Sequence, residues 1–430
     1  MGRSDELLIQ RRDKAFGRGA ALFYDTPLHL VRGEGVHLFD AEGRRYVDLY
    51  NNVPCVGHSH PHVVEAIARQ VGTYNCHSRY LHEAAIELAE RIAGLHGNQI
   101  ESVLFSCTGT EANEAAIRMA RFATGRTGIV CTDKTYHGNS ELVSKLSLVG
   151  TVQPESEGVH AFPFPQTYRP LVPGADEDAL CDAYLAALED SIRRFEKTGV
   201  GFAALIMCSI FANEGLPDIP RGFMARATEL VHRAGGLVIA DEVQAGYART
   251  GRWWGYETSG FVPDIVVTGK PMGNGVPLAA TATSAAILEG FRARIRYFNT
   301  FASSPLQAAA GLAVIDVIEN EDLLTNARTM GARLFGGLTA LRQDNERIGD
   351  IRARGLFLGV EIVHPGADRL PDPPRASHLA NKLKDLGFLT TAAGALHNMI
   401  KIRPPMVFTA ADADAFLAAW AEATAAVLHD

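Results

Sequence analysis

The sequence predicts an α/β protein in which helices flank a large, mostly parallel sheet and a smaller α+β domain packs beside it. From about residue 102, short apolar runs typical of buried strands alternate with helical patterns, as in a parallel sheet. After residue 305, long helical patterns surround strand-like pieces at 356–363 and 399–402. The length of 430 residues also exceeds one ordinary core, so a smaller companion domain is expected.

The N-terminal part is expected to begin with strands before the chain turns to helices. Residues 27–50 alternate apolar and polar side chains between turn residues, as a hairpin does. Pro61 opens a helical pattern that continues to Val71, with apolar residues three and four positions apart, and 84–95 repeats that spacing. The first residues are mixed in charge and lack the apolar core expected of a signal peptide.

The central part of the chain supplies the predicted sheet. Its strand-like apolar runs lie between helical patterns. The predicted strands are 102–106, 128–132, 203–209, 236–241 and 264–268, and the predicted helices are 111–123, 306–320, 323–342 and 374–386. Residues 151–175 contain five prolines and are expected to form a long ordered loop.

These patterns divide the chain into three parts. Residues 1–60 form an N-terminal segment that belongs to the small domain, 61–305 form the large domain, and 306–430 form the C-terminal small domain. The N-terminal hairpin is therefore expected to pack with the C-terminal part.

Composition and charge exclude several classes of function. A net charge of −8 and a pI near 6.0 argue against partners such as nucleic acid or an anionic membrane surface. No stretch of about 18 uncharged apolar residues is present to span a bilayer. The six cysteines are scattered without metal-ligand or disulfide spacing. Neither a metal site nor a disulfide framework is expected, and the predicted location is a reducing cytoplasm.

A lysine and an aspartate follow two neighbouring strands of the predicted sheet. Lys270 comes just after the strand at 264–268, and Asp241 ends the strand at 236–241. At a shared sheet edge, a desolvated lysine loses its charge readily and becomes a nucleophile for aldehydes. Pyridoxal phosphate needs such an amine to capture its aldehyde and a carboxylate to keep its pyridinium nitrogen protonated. A solvated loop lysine and a helix-capping acid are the alternative.

Two segments are candidates for holding such a cofactor. Gly109 and Thr110 stand at the start of a predicted helix, where free backbone N–H groups and the helix dipole bind phosphate. A simple helix cap is the alternative for Thr110. In Tyr136-His137-Gly138, the tyrosine ring can stack on a flat cofactor and the glycine allows close backbone approach. An ordinary core aromatic is the alternative for the tyrosine.

Further positions are predicted around the ring and the substrate. Val243 can pack on the ring face opposite the tyrosine, and Gln244 can reach the phenolic oxygen of the ring. Thr300 precedes a helix and offers a hydroxyl group to an anion. Arg403, followed by two prolines, is a candidate bidentate clamp for a substrate carboxylate. A surface arginine or a structural ion pair is the alternative for that residue.

In this order the motifs closely resemble those of the class III aminotransferases, a family of fold type I pyridoxal-phosphate enzymes. The resemblance extends from about residue 20 to the end of the chain. The matching segments are Gly109-Thr110, Tyr136-His137-Gly138, Asp241-Glu242-Val243-Gln244, Gly269-Lys270, Thr300-Phe301 and Arg403-Pro404-Pro405. It implies transfer of an amino group from a primary amine or amino acid to a 2-oxo acid.

The resemblance also implies a role for each matching residue. Lys270 would form a Schiff base with pyridoxal 5'-phosphate and shuttle a proton, and Asp241 would pair with the pyridinium nitrogen, so these two are the predicted catalytic residues. The implied cofactor ligands are Gly109, Thr110, Tyr136, His137, Asp241, Val243, Gln244, Lys270 and Thr300. In the family, the threonine that matches Thr300 comes from the neighbouring subunit. A homodimer or a dimer of dimers is therefore implied.

One position departs from the family pattern. Many members carry a Glu-Pro pair after the strand that matches 203–207, and that glutamate neutralises the carboxylate-binding arginine when a neutral amine is bound. Here the aligned pair is Cys208-Ser209, and a thiol is neutral at pH 7. Glu214 lies six residues further on, but the alignment does not make it the substitute. Arg403 is therefore expected to stay available to substrates that always carry an anion.

A second, local resemblance is to the ethanolamine-phosphate phospho-lyase branch of the family. It rests on the segments 50–61 and 78–82. Such enzymes expel phosphate from the β-carbon and give an aldehyde and ammonia. The side chains that would surround a second phosphate are Arg79, His58, Tyr80 and Arg403. Turn formation and helix entry are the alternative for the Asn and His pairs of the first segment. A transaminase is therefore the leading hypothesis, and a phospho-lyase for O-phosphoethanolamine or a related phosphorylated amine is the other.

Overall fold

The structure, a computed structural model, describes residues 3–97, 99–148, 158–342, 345–366 and 368–428. The helices are α1 (Arg3–Phe16), α2 (Pro61–Val71), α3 (Glu83–Gly94), α4 (Gly109–Thr124), α5 (Glu141–Ser144), α6 (Glu177–Thr198), α7 (Phe223–Arg233), α8 (Gly255–Ser259), α9 (Ala285–Arg294), α10 (Pro305–Asn320), α11 (Leu323–Arg342), α12 (Pro373–Asp385) and α13 (Ala410–Val427). The strands are β1 (Leu30–Glu34), β2 (His37–Asp40), β3 (Arg45–Asp48), β4 (Ser102–Ser106), β5 (Gly128–Thr132), β6 (Val159–Phe162), β7 (Phe202–Cys208), β8 (Leu237–Asp241), β9 (Ile265–Thr268), β10 (Ala279–Thr283), β11 (Ile348–Ala353), β12 (Leu358–Ile362), β13 (Phe388–Leu389), β14 (Thr391–Ala393) and β15 (Met399–Ile402). Within the described ranges, no helix has the length and apolar character needed to cross a membrane.

Seven strands form the large sheet, in the order β4-β10-β9-β8-β7-β5-β6. Neighbouring strands run parallel from β9 to β6, whereas β10 lies antiparallel between β4 and β9. Every residue of β5 and β7 is buried, because helices pack on both faces of the sheet. The mostly parallel sheet expected from the sequence is confirmed, and the sequence patterns missed two of its strands, the antiparallel β10 and the short β6 at its end.

The loops that follow β4, β7, β8 and β9 leave this sheet at one edge. Cys208, the last residue of β7, pairs in register with Asp241, the last residue of β8, and Asp241 in turn pairs with Val267 of β9. Strand β4 points the same way as β9, because both run antiparallel to β10. Ligands of open α/β sheets bind outside the carboxyl ends of the strands, so this edge is the expected place for a site.

Two four-stranded sheets build the smaller part of the molecule. The antiparallel sheet β11-β12-β15-β14 packs with α11, α12 and α13 around a core that includes Phe416 and Trp420. The sheet β1-β2-β3-β13 joins the N-terminal hairpin to a strand from the C-terminal region, since Phe388 pairs in parallel with Val47. Segments from the N-terminal and C-terminal regions of the chain therefore meet in this sheet.

The domain boundary after residue 305 remains a proposal. Helix α10 packs on α2 and α3, and its apolar residues, such as Val314 and Ile318, belong to the core of the large sheet. On the C-terminal side, the core of the smaller part begins with Ala327 in α11. We therefore propose that the large domain extends to the start of α11.

The segment expected to be a long loop is only partly a loop. Residues 149–157 lie outside the described residues, and Val159–Phe162 forms β6, which pairs in parallel with β5 at the end of the sheet. Pro163 and Pro165 follow this strand directly and end it, since proline has no N–H for the ladder. Helix α1 is also absent from the sequence predictions, because most of its residues are polar and exposed.

Candidate active site

A cavity opens at the edge of the large sheet where β8 and β9 end. Loops that follow five strands contribute to its wall. The lining residues are Gly109, Thr110, Asn113, Tyr136, His137, Gly138, Cys208, Asn213, Asp241, Val243, Gln244 and Lys270. Every predicted cofactor ligand except Thr300 is therefore found in one place.

Helix α4 starts at this cavity. Its N-cap is Thr108, whose hydroxyl accepts a hydrogen bond from the N–H of Glu111 at 3.2 Å. Thr110 therefore does not cap the helix, and its hydroxyl lies at the cavity wall, 3.4 Å from Asn139 Oδ1. With 16 residues, α4 presents a full helix N-terminus to an anion in the cavity.

Two glycines allow close packing around this helix start. A Cβ atom on Gly138 would lie 2.5 Å from Thr110 Oγ1 and 2.9 Å from Thr110 Cα, and Gly138 has a φ of 142°. A Cβ atom on Gly109 would lie 3.0 Å from Val243 Cγ2. The loop after β5, the start of α4 and the Val243 side chain therefore pack together only because both positions are glycine.

The Asp241 carboxylate is buried at the inner wall of the cavity. Its Oδ2 atom lies 2.6 Å from His137 Nδ1 and accepts a hydrogen bond from Asn113 Nδ2 at 3.0 Å, while Oδ1 accepts one from the N–H of Val243 at 3.0 Å. Burial raises the pKa of Asp241, but His137 and the other two donors outweigh it and hold the pKa below its usual value. The carboxylate therefore stays ionised inside the protein.

The Lys270 amine faces the open cavity and is accessible from it. Desolvation by the surrounding protein lowers the pKa of Lys270, the charge of Arg403 acts in the same direction, and the Asp241 carboxylate opposes both. Across the described ranges, the amine makes no hydrogen bond or ion pair. An amine of this kind is available as a nucleophile, which a solvated and fully charged lysine is not.

Gln244 and Tyr136 are linked through Asn213. The Gln244 amide donates to Asn213 Oδ1 at 2.9 Å, and the Asn213 amide donates to the backbone oxygen of Tyr136 at 3.0 Å. The Tyr136 residue is 41% exposed, so its ring is free to cover a flat ligand. Val243 is buried and also lines the cavity.

Arg403 is buried and already engaged, and it does not line the cavity. Its Nε and one terminal nitrogen donate to the backbone oxygen of Tyr50 at 3.0 and 2.8 Å, and its other terminal nitrogen donates to Gln244 Oε1. Burial lowers the pKa of Arg403 to about 10. The predicted free clamp is thus a buried group that fixes Gln244, and a substrate carboxylate reaches it only if these bonds rearrange.

His58 is held by a buried carboxylate away from the cavity. Its Nε2 atom lies 2.8 Å from Asp48 Oδ2, and Asp48 Oδ1 accepts hydrogen bonds from the N–H groups of Tyr50 and Asn51 at 2.9 and 3.0 Å. The Tyr50 carbonyl is the acceptor for Arg403, so this cluster fixes the backbone that positions the guanidinium. A substrate-binding role for His58 remains a prediction.

Three other predicted residues share an exposed surface. The guanidinium of Arg79 lies 4.1 Å from the centre of the Phe298 ring, two residues before Thr300. Tyr80 stacks on His77 at 5.4 Å and is 68% exposed. Arg79, Tyr80 and Thr300 are not among the residues that line the cavity within this chain.

Several residues near the cavity were missed by the sequence predictions. Asn113 donates a hydrogen bond to the Asp241 carboxylate. It lies four residues after Gly109 on α4, and this helical spacing is a signal that could have identified it. Asn213 lies in an irregular loop that no periodic pattern describes. Lys401 lies in β15, two residues before Arg403, which follows the strand, so its closeness in sequence to the predicted Arg403 was a usable signal.

Lys401 and Glu214 are both buried close to this region. The Lys401 amine donates to the backbone oxygen of Ala212 at 3.0 Å, and burial lowers its pKa to about 7. Glu214 Oε1 accepts a hydrogen bond from Thr132 Oγ1 at 2.6 Å, and burial raises its pKa. Both groups interact electrostatically with Cys208, which lines the cavity.

The structure shows all six cysteines as free thiols, and the buried Cys55 donates to the oxygen of Pro271 at 3.2 Å without lining the cavity. Among the residues that the structure describes, no group of three or more His, Cys, Asp or Glu residues could hold a metal ion.

The fold is that of the fold type I pyridoxal-phosphate-dependent enzymes. The chain belongs to the class III aminotransferase family, whose model, described as aminotransferase class-III, matches residues 22–423. Enzymes of this family depend on pyridoxal phosphate. The resemblance seen in the sequence motifs is confirmed, and the protein is an aminotransferase-family enzyme.

Relatives in the family carry two kinds of name. The chain is 37% identical to the alanine–glyoxylate aminotransferase 2-like protein of Drosophila melanogaster, over 98% of this chain and 87% of the relative. It is 35% identical to ethanolamine-phosphate phospho-lyase homolog 1 of Caenorhabditis elegans, over 94% of this chain and 90% of the relative. Similarity at this level to both proteins leaves the family clear and the particular reaction open.

The similar solved structures also include both a phospholyase and aminotransferases. A phospholyase from Arthrobacter in complex with phosphoethanolamine superimposes with a TM-score of 0.93 at 37% identity, covering 97% of this chain and 99% of that chain. An aminotransferase from Bacillus anthracis gives a TM-score of 0.90 at 26% identity, covering 99% and 100%. The ω-transaminase of Pseudomonas jessenii in complex with PMP, at 24% identity and a TM-score of 0.88 over 97% and 98%, shares the fold.

Proposed function

We propose that this chain binds pyridoxal 5'-phosphate in the cavity and transfers an amino group from a primary amine or amino acid to a 2-oxo acid. The observation that carries the proposal is the pairing of a desolvated amine, Lys270, with a buried ionised carboxylate, Asp241, at one cavity. The donor set fits the cofactor. It offers an amine for the aldehyde, a carboxylate for the ring nitrogen and the start of α4 for the phosphate.

Bound pyridoxal phosphate supplies an aldehyde and an electron-withdrawing ring. Asp241, kept ionised by its three donors, would hold the proton on the ring nitrogen. Tyr136 would cover one face of the ring and Val243 the other. The N–H groups at the start of α4 and the Thr110 hydroxyl would bind the phosphate.

Lys270 would act at two moments. Its Nζ atom would first bind the cofactor covalently. Once released, the amine would take a proton from the α-carbon of the substrate and return it to an atom of the cofactor. Desolvation lowers the pKa of this amine, which keeps a neutral fraction able to accept that proton. Gln244, fixed by Asn213 and Arg403, would contact the phenolic oxygen of the ring.

The transfer reaction is tested with a panel of amines and amino acids, each supplied with pyruvate or 2-oxoglutarate. We expect a new amino acid to form from the oxo acid, with the cofactor absorbance changing when the amino donor alone is added. If no donor in the panel produces either change, amino transfer is excluded for those substrates.

A second candidate function is a phospho-lyase acting on O-phosphoethanolamine or a related phosphorylated amine. Two observations favour it: the 37% identity to the Arthrobacter phospholyase and the neutral Cys208 at the cavity wall. The neutral thiol adds no negative charge to this region, so Arg403 would bind a dianion once its hydrogen bonds to Tyr50 and Gln244 rearrange. Release of phosphate and ammonia from O-phosphoethanolamine without any oxo acid would identify this reaction, and phosphate at background level would remove this substrate.

We also propose that two copies of the chain assemble so that Thr300 of one completes the site of the other. Thr300, Arg79 and Tyr80 lie away from the cavity of their own chain. Large apolar side chains are exposed in the same segments, with Leu81 at 92% and Phe301 at 72%. Such exposed apolar surface is typical of an interface. The same surface suits a homodimer or a dimer of dimers.

The proposed location is the cytoplasm. The six thiols are free in the structure, as expected in a reducing compartment. Labelling of intact cells followed by fractionation tests this location directly.

A further inference from the structure

Two consecutive carbonyl groups in the loop after β5 are held by asparagine side chains. The oxygen of Tyr136 accepts a hydrogen bond from Asn213 Nδ2 at 3.0 Å, and the oxygen of His137 accepts one from Asn113 Nδ2 at 2.8 Å. Asn113 lies on α4, whereas Asn213 follows β7. The segment that carries the Tyr136 ring is therefore attached to two separate elements of the large domain.

Each asparagine also contacts a side chain that is predicted to bind the cofactor ring. Asn113 Nδ2 donates a second hydrogen bond to Asp241 Oδ2 at 3.0 Å, and Asn213 Oδ1 accepts one from Gln244 Nε2 at 2.9 Å. Asp241 ends β8, Gln244 lies in the loop that follows it, and all four residues line the cavity. The two asparagines therefore connect the loop after β5 with the end of β8 and the loop after it.

The hydrogen bonds through Asn213 can run in only one direction. They begin at Arg403, whose guanidinium can only donate and does so to Gln244 Oε1. They end at the Tyr136 carbonyl, which can only accept. Each of the two amides between these ends must therefore accept on one side and donate on the other. Turning either amide over would place two donors or two acceptors against each other.

The same argument fixes the group that Gln244 offers to the cavity. Its oxygen is occupied by Arg403 and one of its N–H groups by Asn213, so the remaining N–H is available to a ligand. An N–H donor complements an oxygen that carries negative charge, such as the ionised phenolic oxygen of a pyridoxal ring. Asn113 is fixed as well, because its N–H groups are directed to two acceptors, a carbonyl and a carboxylate.

The two asparagines differ in how deeply they are buried. Asn113 is 1% exposed, and its acceptors belong to the buried residues His137 and Asp241, so water does not replace a lost N–H there. Asn213 is only partly buried at the cavity wall. Its replacement disturbs the fold less, so it keeps the test available if an Asn113 variant does not fold.

We propose that Asn113 and Asn213 are positioning residues: they hold the loop that carries Tyr136 at a fixed place relative to the end of β8. A flat ring in the cavity would then meet Tyr136, Asp241 and Gln244 in one preformed arrangement. The inference rests on the proposed function for the identity of that ring. The attachment of the loop is a property of the protein alone.

The attachment is tested by fluorine NMR on the full-length chain labelled with fluorotyrosine, without added ligand. The Tyr136 signal is assigned by its loss in Tyr136→Phe. We expect Asn213→Ala and Asn113→Ala each to change the linewidth of this signal, because the loop gains motion once a bond to its backbone is lost. Asn381→Ala, on α12 in the smaller part, is the matched control and should leave the linewidth unchanged.

Asn213→Asp tests the direction of the hydrogen bonds. Its carboxylate can still accept from Gln244 but has no proton for the Tyr136 carbonyl. This variant should therefore change the linewidth of the Tyr136 signal as Asn213→Ala does. A wild-type linewidth in Asn213→Asp would show that the donor to the carbonyl does not hold the loop.

The position of the ring is tested with pyridoxine 5'-phosphate, which has the ring and phosphate of the cofactor but no aldehyde to react with Lys270. Calorimetric titration should show this ligand binding about tenfold more weakly to Asn213→Ala than to wild type. Inorganic phosphate should bind equally to both proteins, because the substitution does not touch the start of α4. A merely structural role for Asn213 would weaken both ligands together.

Three results would overturn the inference. They are a wild-type Tyr136 linewidth in Asn213→Ala, a wild-type affinity of this variant for pyridoxine 5'-phosphate, and an equal loss of its affinity for inorganic phosphate. If the wild type itself binds no pyridoxine 5'-phosphate, the proposed function is contradicted instead. The fluorine signal then still decides whether the asparagines hold the loop.

Discussion

Cys208 and Asp241 occupy paired positions at the ends of the neighbouring strands β7 and β8. Both line the candidate cavity, and burial together with the charge of Asp241 raises the pKa of the Cys208 thiol. The thiol is therefore neutral, and position 208 offers no negative charge to the buried Lys401 nearby. We therefore predict that the site favours substrates that bring their own anion.

Replacing Cys208 by glutamate should raise KM for an anionic substrate about tenfold or more, because a carboxylate there repels the substrate and pairs with the neighbouring cations. The KM for an uncharged amine should rise much less. Steady-state kinetics with one substrate of each kind measures the difference. Cys208→Ser is the matched control, and equal KM values for the anionic substrate in the two variants would contradict this explanation.

Gly138→Ala should weaken both cofactor binding and folding. The added Cβ atom would lie 2.5 Å from Thr110 Oγ1 at a φ of 142°, so the loop and the start of α4 must separate. We expect a loss of about 1–3 kcal/mol in the free energy of unfolding and weaker binding of pyridoxal phosphate, measured by denaturant titration and by fluorescence. Gly174→Ala is the control, because Gly174 also has a positive φ but no atom within 4 Å of an added Cβ. Equal cofactor affinity in the two variants would argue against this phosphate cradle.

Glu242 should make the free energy of unfolding fall as the pH rises. Its buried carboxyl accepts hydrogen bonds from the N–H groups of Gly255 and Tyr256 at 2.7 and 2.9 Å, yet burial raises its pKa to about 7. Between its ordinary pKa of 4.5 and about 7, the folded state keeps a proton that the unfolded chain has lost. The stability contributed by this group is therefore fully present below the ordinary value and falls as pH rises through this window.

In the wild type, Glu242 should lower the free energy of unfolding by on the order of 3 kcal/mol between about pH 4.5 and 7. Glu242→Gln should remove this decrease. The variant should also be less stable overall, because an amide offers one acceptor oxygen where the carboxyl offers two. Urea unfolding at several pH values measures both effects. Glu229→Gln on the exposed face of α7 should leave the slope unchanged. If the free energy of unfolding of Glu242→Gln changes with pH as steeply as that of the wild type, another group is responsible for the pH dependence.

Mixed dimers should restore activity if Thr300 serves the neighbouring subunit. Lys270→Ala and Thr300→Ala are each expected to be impaired alone, with the second assayed at subsaturating cofactor. A dimer of one chain of each kind has one site with both residues intact, because Lys270 and Thr300 come from different chains. Activity above the sum of the two parents is the expected result of co-expression. No gain, with mixed dimers verified by mass spectrometry, would place Thr300 outside the shared site.

The sequence predicted the sheet edge well because the signals there are local. Asp241 is the last residue of β8 and Lys270 follows the end of β9 by two residues, and neighbouring strands that end together bring the residues at their ends together. The same logic found Gly109 and Tyr136 at strand exits.

The environment of Arg403 could not be predicted in the same way. Its acceptor is the carbonyl oxygen of Tyr50, which is 353 residues distant in the chain, and the contact exists only because both ends of the chain meet in the smaller part. Glu214 and Asn213 lie in an irregular loop, where periodicity carries no information about direction. Strand β6, with only four residues, was too short to stand out among the prolines that follow it.

The most direct test of the central claim is reduction of the reconstituted protein with borohydride, followed by peptide mass spectrometry. The predicted result is one pyridoxyl-phosphate group per chain, attached to Lys270. Lys401 provides an internal comparison, because burial also lowers its pKa, to about 7, yet it does not line the cavity. Label on Lys401, or on no lysine, would contradict the account.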